Sequence, residues 1–195
     1  GQSTGIEIGD VSGVLASPEW AEAHDREWTD GQTITAAIGQ SYNAFTPLQL
    51  ANYVATLVSG GEHYAAHLLK SVKSYDNSRL IYSYDEKPLN DMNISDSTMA
   101  AVTKGMHDLT HDSLTSAFSR CMVEAGAKTG SAQVGTDIAN GVFVAYAPYD
   151  DPEIAVAIVV EKGGSGSLLA NAAVDIINAW FSRGSSSVTT GENTL

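Results

Sequence analysis

Two stretches near the end of the chain restrict its fold more than any other feature. Residues 142–147 (Val-Phe-Val-Ala-Tyr-Ala) and 154–160 (Ile-Ala-Val-Ala-Ile-Val-Val) are apolar at nearly every position. A strand with one wet face alternates polar and apolar residues, so strands without alternation need cover on both faces. Pro148-Tyr149-Asp150-Asp151-Pro152 is a short turn between them, which makes them antiparallel neighbours. After Gly163-Gly164-Ser165-Gly166, the residues Leu169, Ala172, Ala173, Ile176, Ile177 and Trp180 recur at helical spacing. The pattern predicts a helix over 167–182, packed on one face of the sheet.

Upstream, Thr46-Pro47 marks a helix start, with Thr46 as cap and Pro47 at the first helical position. Leu50, Val54 and Leu57 continue that helix, and Gly60-Gly61 ends it. Residues 68–75 and 80–84 read as two strands of a hairpin, turned by Asp76-Asn77-Ser78. A second helix is expected over 97–109, begun by Ser95 or Asp96, and a shorter helical piece over 114–118. Residues 1–45 are rich in Gly, Ser, Thr and acids and read as loops with short turns. Trp20 and Trp28 are expected to pack this layer onto the body. A polar, small-residue tail over 184–195 is expected to be disordered. The class is α+β, an antiparallel sheet covered by helices.

A chain of 195 residues can bury a real core. Its net charge of −13 argues against nucleic acid and anionic membrane as direct partners. The single cysteine, Cys121, excludes an internal disulfide and suits a small core residue better than a nucleophile. No apolar run approaches the roughly 18 residues of a membrane span. His63/His67 and His107/His111 are each spaced i, i+4. Neither pair carries the Glu of a His-Glu-x-x-His motif and no third ligand is evident, so neither a metal site nor a cofactor is expected.

The chemistry is concentrated in Lys128-Thr129-Gly130-Ser131. On a strand, Lys128 and Gly130 point to one face, Thr129 and Ser131 to the other. At a cleft edge, Gly130 lets a substrate approach the backbone, while the ammonium and hydroxyls can hold a carboxylate. A backbone N–H can face a developing oxyanion. Alone, the tripeptide fits a surface strand carrying a lysine better; its surroundings decide.

Those surroundings resemble the transpeptidase domain of class B penicillin-binding proteins. The resemblance rests on Ser3-Thr-Gly-Ile-Glu-Ile8, Trp28-Thr-Asp-Gly-Gln-Thr33, Ala37-Ile-Gly-Gln40, Thr46-Pro-Leu-Gln-Leu-Ala51, Lys128-Thr-Gly-Ser-Ala-Gln133 and the strands and helix of 142–181, in family order over 1–183. It implies the β-lactamase/transpeptidase-like fold and, in the parent domain, a serine-type D,D-transpeptidase. Such an enzyme cross-links peptidoglycan stem peptides ending in D-Ala-D-Ala through an acyl-serine, and β-lactams acylate the same serine. Lys128 is then catalytic, and Thr129, Gly130, Ser131 and Gln133 bind substrate. A β-lactam sensor domain or a serine β-lactamase shares the fold and is the alternative.

Two departures shape the expectation. The family nucleophile sits in Ser-x-x-Lys, but the residues three before Lys70, Lys73, Lys87, Lys104, Lys128 and Lys162 are His67, Lys70, Tyr84, Ala101, Ala125 and Val159. Ser41-Tyr42-Asn43 matches the second motif, Ser-x-Asn, only in letters, because its place in the order is wrong. Gly1 opens in mid-pattern without a methionine. The sequence therefore reads as the C-terminal half of a transpeptidase domain, inactive alone, which needs its other half or self-associates through uncovered surface on 142–147 and 154–160. The resemblance places the parent at the extracytoplasmic face of the bacterial membrane, anchored by a segment outside this sequence.

Overall fold

The computed structural model describes residues 1–135 and 138–184. In chain order the elements are α1 (Pro18–Ala23), α2 (Asp30–Ala37), α3 (Pro47–Val58), β1 (Glu62–His63), β2 (Ser71–Lys73), β3 (Leu80–Ser83), β4 (Asn90–Asp91), α4 (Asp96–His111), α5 (Thr115–Phe118), β5 (Gly126–Ala132), β6 (Asn140–Ala147), β7 (Ile154–Val160) and α6 (Ala170–Phe181). A 3-10 turn, Gly166–Leu169, leads into α6. The expected tail lies, from residue 185 on, outside the described residues.

The apolar strands are β6, the centre of a three-stranded antiparallel sheet ordered β5-β6-β7, and β7, its far edge among the described residues. Alternation sends Ala127, Phe143, Ala145, Ala147 and Val156 to one face, where they meet Leu114, Ala117, Ala173 and Ile177 from the α5 and α6 side. Tyr146 points the other way, into Val54 and Leu57 of α3 and Met106 of α4. Phe143, Ala145, Tyr146 and Ala147 are all 0% exposed, and each large side chain so buried contributes about 1.5–3 kcal/mol. Two covered faces account for the missing alternation. The expectation of partly uncovered strand surface divides between the two strands. Residues 142–147 of β6 are buried or half-buried, whereas in β7 only Val156 is buried, Ile154, Ala155, Ala157, Ile158 and Val159 are half-buried and Val160 is 40% exposed.

Local chemistry sets the helix ends. Thr46 and Gln49 form a reciprocal capping box, with Pro47 in the first turn. Ser95 caps α4, which runs two residues past the expected end to His111. The hairpin is shorter than its apolar pattern suggests: β2 and β3 pair over Ser71–Lys73 and Leu80–Ser83, with a register shift between Val72 and Lys73.

Three expectations need correction. Residues 1–45 hold two short helices, because Ser17 caps Pro18–Ala23 and Thr29 with Gln32 boxes the start of α2. The ring contacts of Trp20 and Trp28 stay within their own layer, both on Tyr42, with centroids 5.2 and 6.4 Å away. The buried stripe of α6 is Ala170, Ala173, Val174 and Ile177, whereas Ile176 and Trp180 are 43% and 37% exposed. The cause is phase: the tighter 3-10 turn delays the α-helix to Ala170 and rotates the face that meets the sheet.

Candidate active site

β5 carries the Lys-Thr-Gly motif at the edge of the sheet among the described residues. Lys128 lies opposite Val144, Thr129 opposite Phe143, Gly130 opposite Val142 and Ser131 opposite Gly141. The strand is anchored at its start, where Gly126 and Ala127 are buried, and opens outward from Lys128. Gly126 is obligatory because a Cβ there would stand 2.3 Å from the Tyr146 ring. That ring leaves its hydroxyl buried without a hydrogen-bond partner among the described residues, and burial pushes its pKa up to about 12.

Lys128 is exposed, and its ammonium donates to the Thr129 carbonyl at 2.7 Å. Thr129 and Gly130 are half-buried and Ser131 is exposed. The four expected motif residues thus stand together on one open strand. Gln133 follows one residue beyond the strand end, exposed, so it does not share the rigid placement of the other four.

Two neighbours of the motif were not marked as site residues by the sequence. Gln40 Nε2 donates to the Ser131 carbonyl at 3.3 Å, bringing the Ala37-Ile-Gly-Gln40 loop against the strand across 91 residues of chain. Gly166 is the other: a Cβ there would lie 2.1 Å from the Val142 carbonyl oxygen and 2.4 Å from that of Gly130. The 3-10 turn therefore rests on the backbone of the motif strand itself. The signal for Gly166 was present in Gly163-Gly164-Ser165-Gly166, but spacing alone does not say which glycine touches what.

Ser41-Tyr42-Asn43 forms a staple. Asn43 accepts from Ala16 N at 2.9 Å and donates to the carbonyls of Gln40 and Ala36 at 3.0 and 3.2 Å. Tyr42 Oη donates to the Glu27 carbonyl. The Asn43 amide is committed to backbone through both its oxygen and its nitrogen. Ser3-Thr-Gly-Ile-Glu-Ile8 is tied down in the same way. Asp10 accepts from Ser3 Oγ and from Thr4 N and Oγ1, and these bonds hold its carboxyl below the usual aspartate range. Glu7 accepts the N–H groups of Leu68 and Leu69 at 2.9 and 3.1 Å, which lowers its carboxyl likewise. Cys121 is half-buried against the α6-side core, and burial pushes its thiol up, as a packing residue requires.

A mixed sheet-and-helix body with a Lys-Thr-Gly edge strand and a C-terminal helix behind it defines the β-lactamase/transpeptidase class of fold. Comparison with known proteins is consistent and narrower. The family described as "Penicillin binding protein transpeptidase domain" matches residues 2–178. The chain belongs to that family, within class B. It is 28% identical over 198 residues to the peptidoglycan D,D-transpeptidase MrdA of Acinetobacter baumannii, covering 93% of this chain and 29% of the relative. Pseudomonas aeruginosa PBP2, solved in complex with WCK 5153, superposes with a TM-score of 0.75 at 30% identity, covering 89% of this chain and 39% of that one. Penicillin-binding protein A of M. tuberculosis, solved as its imipenem acyl-enzyme, gives 0.67 at 28% identity, covering 75% and 33%. The chain spans under two-fifths of the length of each. No helix among the described residues is long and apolar enough to cross a membrane.

Proposed function

We propose that this chain supplies the Lys-Thr-Gly side of the active site of a D,D-transpeptidase that cross-links peptidoglycan stem peptides. In that reaction a serine attacks the penultimate D-alanine carbonyl, the terminal D-alanine leaves, and an amine from a neighbouring strand resolves the acyl-enzyme. β-Lactams acylate the same serine; the imipenem acyl-enzyme of the mycobacterial relative supports that ligand class here. The serine belongs to a Ser-x-x-Lys motif that this sequence lacks, so the 195 residues alone are inactive. Membrane anchorage, facing outward, comes from a segment outside the sequence.

Within the site, Lys128 sets the electrostatics and assists proton transfer. Thr129 and Ser131 hydrogen-bond the carboxylate of D-alanine or of the antibiotic, and the Ser131 N–H is one oxyanion donor. Gly130 admits the ligand to the strand, and Gln133 lines the approach. The observation that carries this reading is the open edge strand, buried at Gly126 and Ala127 and presenting Lys128 through Ser131 outward.

The test uses the full-length protein. Lys128→Ala and Thr129→Ala should slow acylation by a labelled penicillin with the fold intact, since Lys128 is exposed and Thr129 only half-buried. Losing one charge-assisted contact costs about 1.5–3 kcal/mol, which is roughly ten- to a hundredfold in rate. An unchanged acylation rate in Lys128→Ala would remove Lys128 from the site.

A further inference from the structure

The last turn of α4 places His107 and His111 on one face, and the chain returns beside them at Glu124, two residues before β5. His107 Nε2 lies 3.1 Å and His111 Nε2 3.0 Å from the same oxygen, Oε2 of Glu124. Sequence spacing gave the pair of imidazoles but not the carboxylate, which arrives through the fold.

We propose that His107, His111 and Glu124 form a site for one divalent cation of the zinc class. Three donors converge there. His107 Nε2 and His111 Nε2 both face one oxygen, Oε2 of Glu124. His111 Nδ1 lies 3.1 Å from the His107 carbonyl oxygen, so Nε2 is the nitrogen that the ring turns to the site. One metal ion answers all three donors at once.

The geometry suits such an ion. All three donor atoms lie within 4.8 Å of one another. Zinc binds imidazole and carboxylate at about 2.0–2.2 Å, which sets tetrahedral neighbours roughly 3.4 Å apart. Two histidines and a glutamate are a known zinc donor set that leaves a fourth position open. The Nδ1–H to carbonyl bond of His111 is the outer contact that commonly orients a metal-bound imidazole.

The frame around the donors is rigid where it matters. His107 packs on the Tyr149 ring at 4.2 Å, and Tyr149 N donates to the Glu124 carbonyl at 2.8 Å. The buried Thr110 hydroxyl donates to the Ala125 carbonyl at 3.1 Å, tying α4 to the next residue along. The neighbouring Asp108 is held by Lys104 on the same helix. Glu124 stands four residues before Lys128. A bound ion would therefore fasten the end of α4 to the segment that leads into the motif strand.

The experiment titrates zinc chloride into full-length protein freed of metal by a chelator, read by calorimetry and by the thermal midpoint. One zinc per copy of this site is expected, with a rise in the midpoint. Glu124→Gln and His111→Gln, both at exposed side chains, should weaken zinc binding at least roughly tenfold, on the scale seen when a metal site loses a supporting group. His63→Gln/His67→Gln should not change it, since His63 lies in β1 and His67 stacks on Tyr84. Absence of zinc uptake would overturn the proposal in favour of an imidazolium–carboxylate cluster. Uptake that survives Glu124→Gln and His111→Gln, or that disappears with His63→Gln/His67→Gln, would overturn it too.

Discussion

Single residues decide how the motif strand is held, and the decisive ones are those without side chains. At Gly166 a methyl group would meet the backbone of Val142 and Gly130 at 2.1 and 2.4 Å, and backbone in a paired strand cannot step aside. Gly166→Ala should therefore lift the 3-10 turn off β5, destabilising the protein by about 1–3 kcal/mol as overpacking does. It should also slow acylation in the full-length protein, although residue 166 touches no ligand. Chemical denaturation and penicillin labelling of the same variant check both effects. A variant with wild-type stability and labelling would show that the close approach is not needed. The placement of Lys128 through Ser131 on one strand was legible in the sequence because it follows from local pattern. Gly166 was not, because its role is defined by which backbone lies beneath it.

At the scale of elements, the hairpin of β2 and β3 shows how a polar turn is fixed. Asp76 accepts from Ser74 Oγ at 2.6 Å, from Ser78 Oγ at 2.8 Å and from Ser78 N at 3.1 Å. These bonds, the one from Ser74 foremost, lower its pKa from the ordinary 3.8 to about 2. A lowered carboxyl stabilises the fold above its unfolded value and loses that contribution as pH falls through the folded value. The turn should thus keep its full contribution above about pH 4 and lose it towards pH 2. Carbon-detected NMR of the Asp76 carboxyl should give a midpoint near 2; one at 3.8 would sink the turn geometry. Elements like this hairpin and α3 were readable because a cap or a turn is written in adjacent residues. The buried stripe of α6 was readable only in part, through Ala173 and Ile177, since Leu169-Ala172-Ile176-Trp180 and Ala170-Ala173-Val174-Ile177 are both apolar at helical spacing. Only the 3-10 turn before Ala170 selects between them.

The whole molecule inherits a consequence from the other stripe, Leu169-Ala172-Ile176-Trp180. Its outward members Ile176 and Trp180 remain 43% and 37% exposed, and Leu168 beside them 71%. The N-terminal layer exposes Ile8, Val11, Leu15, Ile34 and Ile38 at 65–77%. The sheet also has an open edge at β5 among the described residues. The central strand β6 is covered, so the surface seeking a partner lies around the periphery, half-buried β7 included, rather than on 142–147. Exposed apolar area of this extent, with an unpaired strand edge, favours association. The 195-residue chain produced alone should therefore self-associate at micromolar concentration, and the remainder of a transpeptidase domain added in trans should compete for the same surface. It should also remain unlabelled by penicillin, because in the function proposed above Ser131 recognises the ligand and the attacking serine belongs to a Ser-x-x-Lys motif that these residues lack. Light scattering and intact-mass measurement on one sample test both halves. A stable monomer would show that the exposed residues need no cover, and a penicillin adduct would show that the nucleophile lies within these residues after all.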